Sequence, residues 1–435
     1  MSDTIGASEE KTTLFQELTW RGFVHQTTHP ELEAALEAGS MTLYCGFDPT
    51  ADSLHIGSLL PIMGMAHFQR AGHRPIALVG GGTGLIGDPS FKAQERAMLT
   101  KEQVEANALG IRAQLEHFLD FEGESAAVMI NNADWLCGLP LVDFLRDIGK
   151  HFSVNAMLAR DSVKNRLQDR DHGISYTEFS YSLLQAYDFM HLYKTRGCRL
   201  QIGGSDQWGN IVAGMDLSRR LCDAETFGMT FPLVTKADGT KFGKTESGNV
   251  WLDPERTSPY KFYQFWINQA DADTGAYLRF FTFLPKSEIM ELDRLIAEEP
   301  HRRAAQRRLA EEVTRLVHGE EALANARRAS EAMFGGDLNG LDERTLEEIF
   351  SDVPSTALPV DILGAERPLL DVLAEAGVFP SKGEGRRMIR NGGLYLNSRR
   401  VDAEDEKLGP QSLLTKTLAV VRTGKKNYHL LRFGA

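Results

Sequence analysis

A chain of 435 residues exceeds what one ordinary hydrophobic core organises, so two or three domains are expected. With 42% hydrophobic and 25% charged residues it is not an intrinsically disordered polymer, and the lack of any unbroken apolar run of membrane-spanning length excludes a helical membrane protein. A net charge of −12 counts against nucleic-acid binding by the chain as a whole, though not by a part of it.

In chain order, Met1 to Gly6 show no positive stretch leading into an apolar one, so no secretory signal is expected. Between about residues 40 and 235, short apolar strands alternate with longer helical patterns. Met41–Phe47, Pro75–Val79, Ala126–Ile130, Arg199–Ile202 and Met229–Val234 read as strands, and Thr100–Phe118 and Tyr181–Tyr193 have helical spacing. That alternation predicts an α/β fold, a Rossmann-like parallel sheet covered on both faces. Ligands of such sheets sit at the carboxyl ends of the strands, where three candidate loops begin: Gly46 to Asp48, Gly80 to Gly84 and Gly203 to Asp206. Cys45, Cys137, Cys198 and Cys222 have no Cys-x-x-Cys spacing, which fits reduced thiols in a cytoplasmic protein and argues against a zinc ribbon.

From Ser258 and Pro259 onward the pattern becomes helical. Ser258 suits a cap with Pro259 in the first turn. Ile289, Leu292, Leu295 and Ile296 form one stripe, and Leu309, Val313, Leu316 and Val317 another; Gly319 and Gly335–Gly336 read as stops. Arg302, Arg303, Arg307 and Arg308 cluster there, and a solvated helix face is the plainer reading of them. A Pro-containing stretch then reads as a linker. The tail is a small α+β unit: a helix around Leu369, Leu370, Leu373 and Ala376, a second opened by the Ser381-x-x-Glu384 capping pattern and stopped at Asn391–Gly392, and strands at Leu394–Asn397 and Leu418–Arg422. The resulting division is 1–235 catalytic, 236–252 a Lys-containing loop, 253–350 all-helical, 351–366 linker and 367–435 the tail. That tail holds thirteen Lys or Arg against seven Asp or Glu, a net of +6 that leaves −18 on the rest. A basic module on an acidic body is what contact with a phosphate backbone asks for.

Two segments carry the chemistry. His55-Ile-Gly57 stands where a loop turns into a helix, whose N–H groups and partial positive charge favour phosphate; Gly57 leaves room for a nucleotide to approach. About 190 residues later, Lys241-Phe-Gly-Lys-Thr245 offers two ammonium groups suited to a departing pyrophosphate. Lys92 and Arg96 form a second cationic pair. Alone, each is weak; together and in order they read as two halves of a triphosphate site.

With these segments, the chain resembles the bacterial tyrosyl-tRNA synthetases, class I aminoacyl-tRNA synthetases, over essentially its whole length. The blocks that carry the resemblance are Tyr44–Ser58, Gly80–Arg96, Tyr176–Asp188, Gln201–Asn210 and Lys241–Thr245. His55–Ser58 matches the class signature His-Ile-Gly-His except at Ser58, and Lys241–Thr245 matches the family form of Lys-Met-Ser-Lys-Ser. The resemblance implies that Tyr44 and Asp188 meet the phenol of tyrosine, that Asp88, Tyr181 and Gln185 meet its ammonium, and that Gln207 and Asp206 face its carboxyl region and the ribose. Asp48, His55, Gly57, Ser58, Gly203, Gly204, Asp206 and Lys244 are the implied ATP contacts. His55 and Thr50 on one side, and Lys92, Arg96, Lys241 and Lys244 on the other, are the implied catalytic groups. ATP would enter as substrate with Mg²⁺, with no tightly bound organic cofactor and no zinc.

The tail resembles an S4-type RNA-binding domain. Arg386, Arg387, Arg390, Arg399, Arg400, Lys425 and Lys426 are expected to meet mainly tRNA phosphates, being long cations without interleaved aromatics. The resemblance also implies a homodimer, and tRNA(Tyr), tyrosine and ATP as partners, with no membrane. Three rivals stay open at this point. A tryptophanyl-tRNA synthetase is disfavoured because Tyr44 with Asp188 suits a phenol. A small-molecule nucleotidyltransferase has no need of the helical and basic modules, and an RNA-binding protein descended from a synthetase has no need of the full polar set.

Overall fold

The computed structural model of the chain describes every residue except 1–11, 89–98, 161–162, 165–166, 168–172, 241, 246–247, 333–334, 425–426 and 435, and describes 244 and 245 by their backbone alone. The chain divides into two compact units, Met1–Asp253 with Gln269–Leu309, and Pro254–Asn268 with Ala310–Ala435.

The first unit is built on a six-stranded sheet: β1 (Gln26–Thr27), β2 (Thr42–Phe47), β3 (Arg74–Val79), β4 (Val128–Asn131), β5 (Cys198–Gly204) and β6 (Phe227–Phe231), in the order β1-β6-β5-β2-β3-β4. β1 runs antiparallel to β6, and all other pairs are parallel. β3 is buried from its second residue on and β6 throughout, the signature of strands covered on both faces. The five parallel strands fall where their apolar runs predict them. β1 is two residues long and carries no readable pattern.

Chain order reverses between β2 and β5, so a crevice opens at their carboxyl ends, where Asp48 and Gly203–Gly204 lie. Two covering helices start on sequence-encoded caps. Thr100 and Gln103 form a capping box at Lys101–Leu115, and Ser175 and Glu178 do so at Tyr176–Arg196, which ends on left-handed Gly197. The helix Leu59–Arg70 is buried at most positions, so its sequence is apolar nearly all round.

The helical stretch expected next is present, as Pro259–Ile267, Asp271–Phe281, Lys286–Glu298, Ala304–Ala332 and Glu343–Ile349, but its helices divide between the two units. The division has a local cause. Buried Arg21 donates to the carbonyls of Arg279, Thr282 and Leu284 at 3.1, 2.9 and 2.7 Å, satisfying the open end of Asp271–Phe281 within the first unit. Gly319 (φ +83°, ψ 175°) has non-helical backbone and separates two helices within Ala304–Ala332, in keeping with its reading as a stop. Within the arginine cluster, Arg302 pairs with Glu299 at 2.6 Å and Arg308 with Glu288 at 2.7 Å, in keeping with the plain reading of that cluster.

In the first unit, the hairpin β7 (Lys244–Thr245) and β8 (Gly248–Asn249) carries the Lys-Phe-Gly-Lys-Thr segment. In the second, β9 (Ser355–Pro359), β10 (Leu394–Leu396), β11 (Arg399–Arg400), β12 (Leu418–Thr423) and β13 (Asn427–Gly434) form a sheet in the order β11-β10-β12-β13-β9. β9 corrects the expected linker at 351–366. Its five residues pair parallel with β13, and the helical turn Asp361–Gly364 follows. Prolines hid it, but β9 is an edge strand, where a missing N–H is tolerated. The alternation along β12 explains how this sheet holds. Ala419 and Val421 pack with Leu369, Leu373, Ile389 and Leu394, whereas Leu418 and Val420 pack with Tyr260, Leu346 and Phe350. Ser381 caps Lys382–Arg390 by accepting from the Glu384 N–H, as its pattern predicts. Among the described residues, no helix is long and apolar enough to cross a membrane.

Candidate active site

A cleft of about 410 Å³ in the first unit is lined by Tyr44, Asp48 and Thr50 from the end of β2, and by His55, Gly57 and Ser58 from the turn into Leu59–Arg70. Asp88 lines it too, with Tyr181, Gln185 and Asp188 from one helix and Gly203, Gly204, Asp206 and Gln207 from the end of β5. The fold thus brings together residues up to 163 positions apart that the sequence motifs single out. Lys92, Arg96, Lys241, Lys425 and Lys426 lie outside the described residues, and the Lys244 side chain is likewise outside them.

At one part of the cleft sits Asp188, 1% exposed. Its Oδ1 accepts from Trp135 Nε1 at 2.8 Å and its Oδ2 from Asn132 Nδ2 at 2.9 Å. Asn132 cannot turn its amide over, because its Oδ1 accepts from the Gly82 N–H at 2.7 Å and its Nδ2 also donates to Thr83. Burial raises the Asp188 carboxyl to about 7; the two donors pull it down, and nearby Asp48 pushes it up. Tyr44 is buried too, its phenol held well above the usual range by burial and by Asp188, and its hydroxyl has no hydrogen-bond partner among the described residues. The same is true of the side-chain oxygens of Gln185 and Gln201. Three buried polar atoms without partners, all on residues lining one cleft, mark a place shaped for a polar ligand.

Nearby, Gln207 donates to Asp88 at 2.8 Å and to Asp206 at 3.3 Å, while its own oxygen accepts from Asn210 at 3.2 Å. One amide therefore holds two carboxylates of the cleft together. Gly80 leaves room for Asp48: a Cβ there would stand 2.8 Å from its Oδ1.

Another part of the cleft is built around His55. Its Nδ1 accepts from the Gly57 N–H at 3.0 Å. That bond needs a lone pair on Nδ1, so the ring is neutral and its proton lies on Nε2. Gly57 has a second role beyond the one expected from sequence: a Cβ there would stand 2.7 Å from His55 Cε1. The segment after the lysine loop is strapped to this turn, with Ile56 N to Val250 O at 3.0 Å and Leu252 N to Leu54 O at 2.9 Å. The loop itself is seated by Phe242, buried and stacked on Phe281 with ring centroids 5.3 Å apart.

Sequence reasoning missed Asn132, Trp135, Thr83 and Gln201 as parts of the site. Asn132 and Trp135 follow directly on β4, so the strand-end rule points to their loop, but nothing in the sequence marks them as the donors that set Asp188. We expect Trp135→Phe, which removes one donor and keeps most of the ring, to raise the KM for the cleft's ligand about tenfold, roughly 1–1.5 kcal/mol, with the KM for nucleotide unchanged. Steady-state kinetics with each substrate varied in turn would check this.

The five described arginines expected to meet tRNA are surface groups in ion pairs. Arg386 and Arg390 both face Glu404, at 3.7 and 2.7 Å; Arg387 pairs with Glu384 at 3.9 Å, Arg399 with Glu406, and Arg400 with Asp402 at 2.9 Å. Exposed pairs of this kind are weak and readily exchanged for phosphate oxygens. The expectation that no aromatic interleaves them needs correction: Tyr395 lies between Arg400 and Arg422 across neighbouring strands, a relation that linear spacing hides.

Comparison with known proteins agrees with this geometry. Residues 36–335 match the family model of class I tRNA synthetases for tryptophan and tyrosine, and residues 345–431 match that of the tyrosine–tRNA ligase C-terminal domain. Tyrosine–tRNA ligases of Roseiflexus castenholzii and Geobacillus stearothermophilus are 55% and 56% identical to the chain, over 97% of it and 99% of their own length. Among solved structures, a C-terminally truncated Aspergillus nidulans mitochondrial tyrosyl-tRNA synthetase superposes with a TM-score of 0.67 at 30% identity, covering 75% of this chain and 95% of its own. A truncated Coccidioides posadasii mitochondrial enzyme gives 0.64 at 32%, covering 73% and 92%. With a catalytic-domain match over most of the chain, a tyrosine-type C-terminal module behind it and relatives this similar over their whole length, the protein belongs to the tyrosyl-tRNA synthetases, class I enzymes that use ATP to aminoacylate tRNA(Tyr) with tyrosine.

Proposed function

We propose that Asp188 and Tyr44 recognise the substrate's phenol, Asp188 accepting its proton and Tyr44 donating to its oxygen. The observation that carries this reading is Asp188 itself, a buried carboxylate whose two oxygens are fixed by Asn132 and Trp135 while the Tyr44 hydroxyl is left unpaired. A phenol answers both needs, and an unsubstituted ring answers neither. Asp88, Tyr181 and Gln185 hold the ammonium, and Gln207 orients the carboxylate. Asp48, Gly57, Ser58, Gly203, Gly204 and Asp206 receive the nucleotide.

The tyrosine carboxylate attacks the α-phosphorus of ATP and pyrophosphate leaves. The terminal ribose hydroxyl of the tRNA then attacks the carbonyl of the adenylate, and AMP leaves. No side chain becomes covalently attached. Alignment, together with charge aimed at the pyrophosphate by Lys92, Arg96, Lys241 and Lys244 and hydrogen bonds donated by Thr50 and His55, lowers the barrier of the first step. Mg²⁺ enters with ATP, held mainly by its phosphates. This scheme needs neither zinc nor a bound organic cofactor. Pyrophosphate exchange into ATP, run with each amino acid in turn, tests the pocket assignment: tyrosine alone should support it, and exchange with phenylalanine or tryptophan at a comparable rate would refute the roles given to Asp188 and Tyr44.

Ser58 begins the helix Leu59–Arg70 without a side-chain capping bond, so replacing it forfeits no cap. Ser58→His should therefore leave the exchange rate equal or higher. A large loss would show that the turn differs from the class signature in geometry as well as in sequence.

Arg386, Arg387, Arg390, Arg399, Arg400, Lys425 and Lys426 meet tRNA phosphates in this reading. A homodimer is supported by apolar side chains standing exposed on successive elements of the first unit: Leu141, Val142 and Leu145, then Val154 and Leu158, with Leu141 and Val142 at 70% and 73%. The enzyme works in the cytoplasm.

A further inference from the structure

We propose that Arg422, with its guanidinium carbon over the Tyr395 ring, forms a stacking platform for an unpaired nucleobase of the tRNA. The inference rests on the reading that the basic tail meets tRNA, and adds to it a contact with a base.

On β10, Leu394 and Leu396 point into the core and Tyr395 to the opposite face. Across the sheet Tyr395 is paired with Arg400 on one side and Arg422 on the other, and Arg422 in turn with Tyr428. Cation and aromatic thus alternate along one row. The Tyr428 end of the row is covered, its ring 5.1 Å from that of Phe350 and its hydroxyl on the Ala332 carbonyl. The Tyr395 end is half-buried, with Arg400 beside it exposed.

Arg422 places its guanidinium carbon 3.9 Å from the Tyr395 ring centre and donates to the Gly424 carbonyl at 3.2 Å. It therefore differs from the other arginines of this surface. Arg386, Arg387, Arg390, Arg399 and Arg400 each face a carboxylate, whereas Arg422 has no carboxylate partner among the described residues. A group that only had to neutralise phosphate would gain nothing from a ring behind it. A planar cation seated on an aromatic presents a flat, polarisable outer face, and unpaired RNA bases stack on arginine planes and aromatic rings.

The test uses the full-length enzyme and measures tRNA(Tyr) binding across a range of salt concentrations. A stacked base contributes a salt-independent share of affinity, while each phosphate contact adds to the salt slope. Tyr395→Leu, which keeps apolar bulk without a π face, should weaken binding about tenfold with the slope unchanged, and Tyr395→Phe should bind as the parent does. Arg422→Lys keeps the charge and loses the plane, so it should also weaken binding about tenfold at constant slope. Parent-like binding by either Tyr395→Leu or Arg422→Lys would overturn the platform, the latter showing Arg422 to be a point charge on phosphate. Charge reversal by Arg390→Glu serves as the separate control. If it alters neither affinity nor slope, the tail does not meet tRNA at all, and the underlying reading fails instead.

Discussion

Asp188→Asn should lower kcat/KM for tyrosine about a hundredfold or more in pyrophosphate exchange, while lowering the residual activity with phenylalanine much less. The argument is one of donors. Trp135 Nε1 can only donate, and Asn132 is locked by the Gly82 N–H with its Nδ2 toward the carboxylate, so both oxygens of Asp188 already face N–H groups. An asparagine must point its NH₂ at one of these, which breaks that bond and buries two opposed donors. The phenol meanwhile loses its ionised acceptor, and a hydrogen bond to a charged group is worth about 1.5–3 kcal/mol. Tyrosyl-tRNA synthetases are the standard example of rejecting a substrate that lacks a hydroxyl by leaving polar groups unpaired. An equal fall for both amino acids would mean that Asp188 supports the pocket without reading the phenol.

The same residue fixes a pH dependence, with its sign set by burial. The Asp188 carboxyl lies at about 7 when folded, against roughly 4 in an unfolded chain. Between those values the folded protein holds a proton that the unfolded one has released, so this group's contribution to the stability of the ligand-free enzyme declines as pH rises from about 4 to about 7. Tyrosine binding has the opposite slope, because the phenol donates to the ionised form. kcat/KM for tyrosine should climb between pH 6 and 8 at saturating ATP, and the Asp188→Asn variant should lose that limb. A parent profile that stays flat through this range would contradict the assignment of Asp188 as the acceptor.

How much of this was legible in the sequence depended on whether the signal was local. β2 and β3 are mostly apolar runs that lead into glycine-containing loops, β5 interrupts its apolar residues only at Arg199 and Gln201 before its two glycines, and the Ser381 cap is a short-range pattern, so these elements fall where expected. The cap at Ser175 is equally local but opens its helix five residues before the expected Tyr181. β9 was unreadable because its side chains are at most half-buried, two prolines bracket it, and its partner β13 lies some 75 residues away. The site divides in the same way. His55, Asp188 and Gln207 sit in blocks whose order carries meaning. Asn132 and Trp135 matter only because the parallel β3–β4 pairing brings that strand end beside a helix that begins at Tyr176. Gln201 reads as one more residue of a strand, until its oxygen is found buried and unpaired at the cleft. The row Arg400–Tyr395–Arg422 is the extreme case, being defined wholly by strand register.

The second large effect is expected at His55. His55→Ala should reduce kcat for tyrosyl-adenylate formation by 10²–10³, about 3–4 kcal/mol, with little change in the KM for tyrosine, because the donor it removes acts on charge that develops only as pyrophosphate departs. The geometry adds a sharper test. Gly57 holds the Nδ1 side of the ring through its N–H and leaves the space the ring occupies, so a methyl group at Gly57 collides with Cε1 and Nδ1 and the imidazole must swing away. Gly57→Ala should then reproduce most of the His55→Ala defect in a protein that still carries the histidine. The double variant should be hardly worse than His55→Ala alone, since both changes remove one interaction. If the two defects multiplied instead, Gly57 would be acting on the nucleotide directly, as the sequence first indicated, and the tautomer imposed by its N–H would have no part in catalysis.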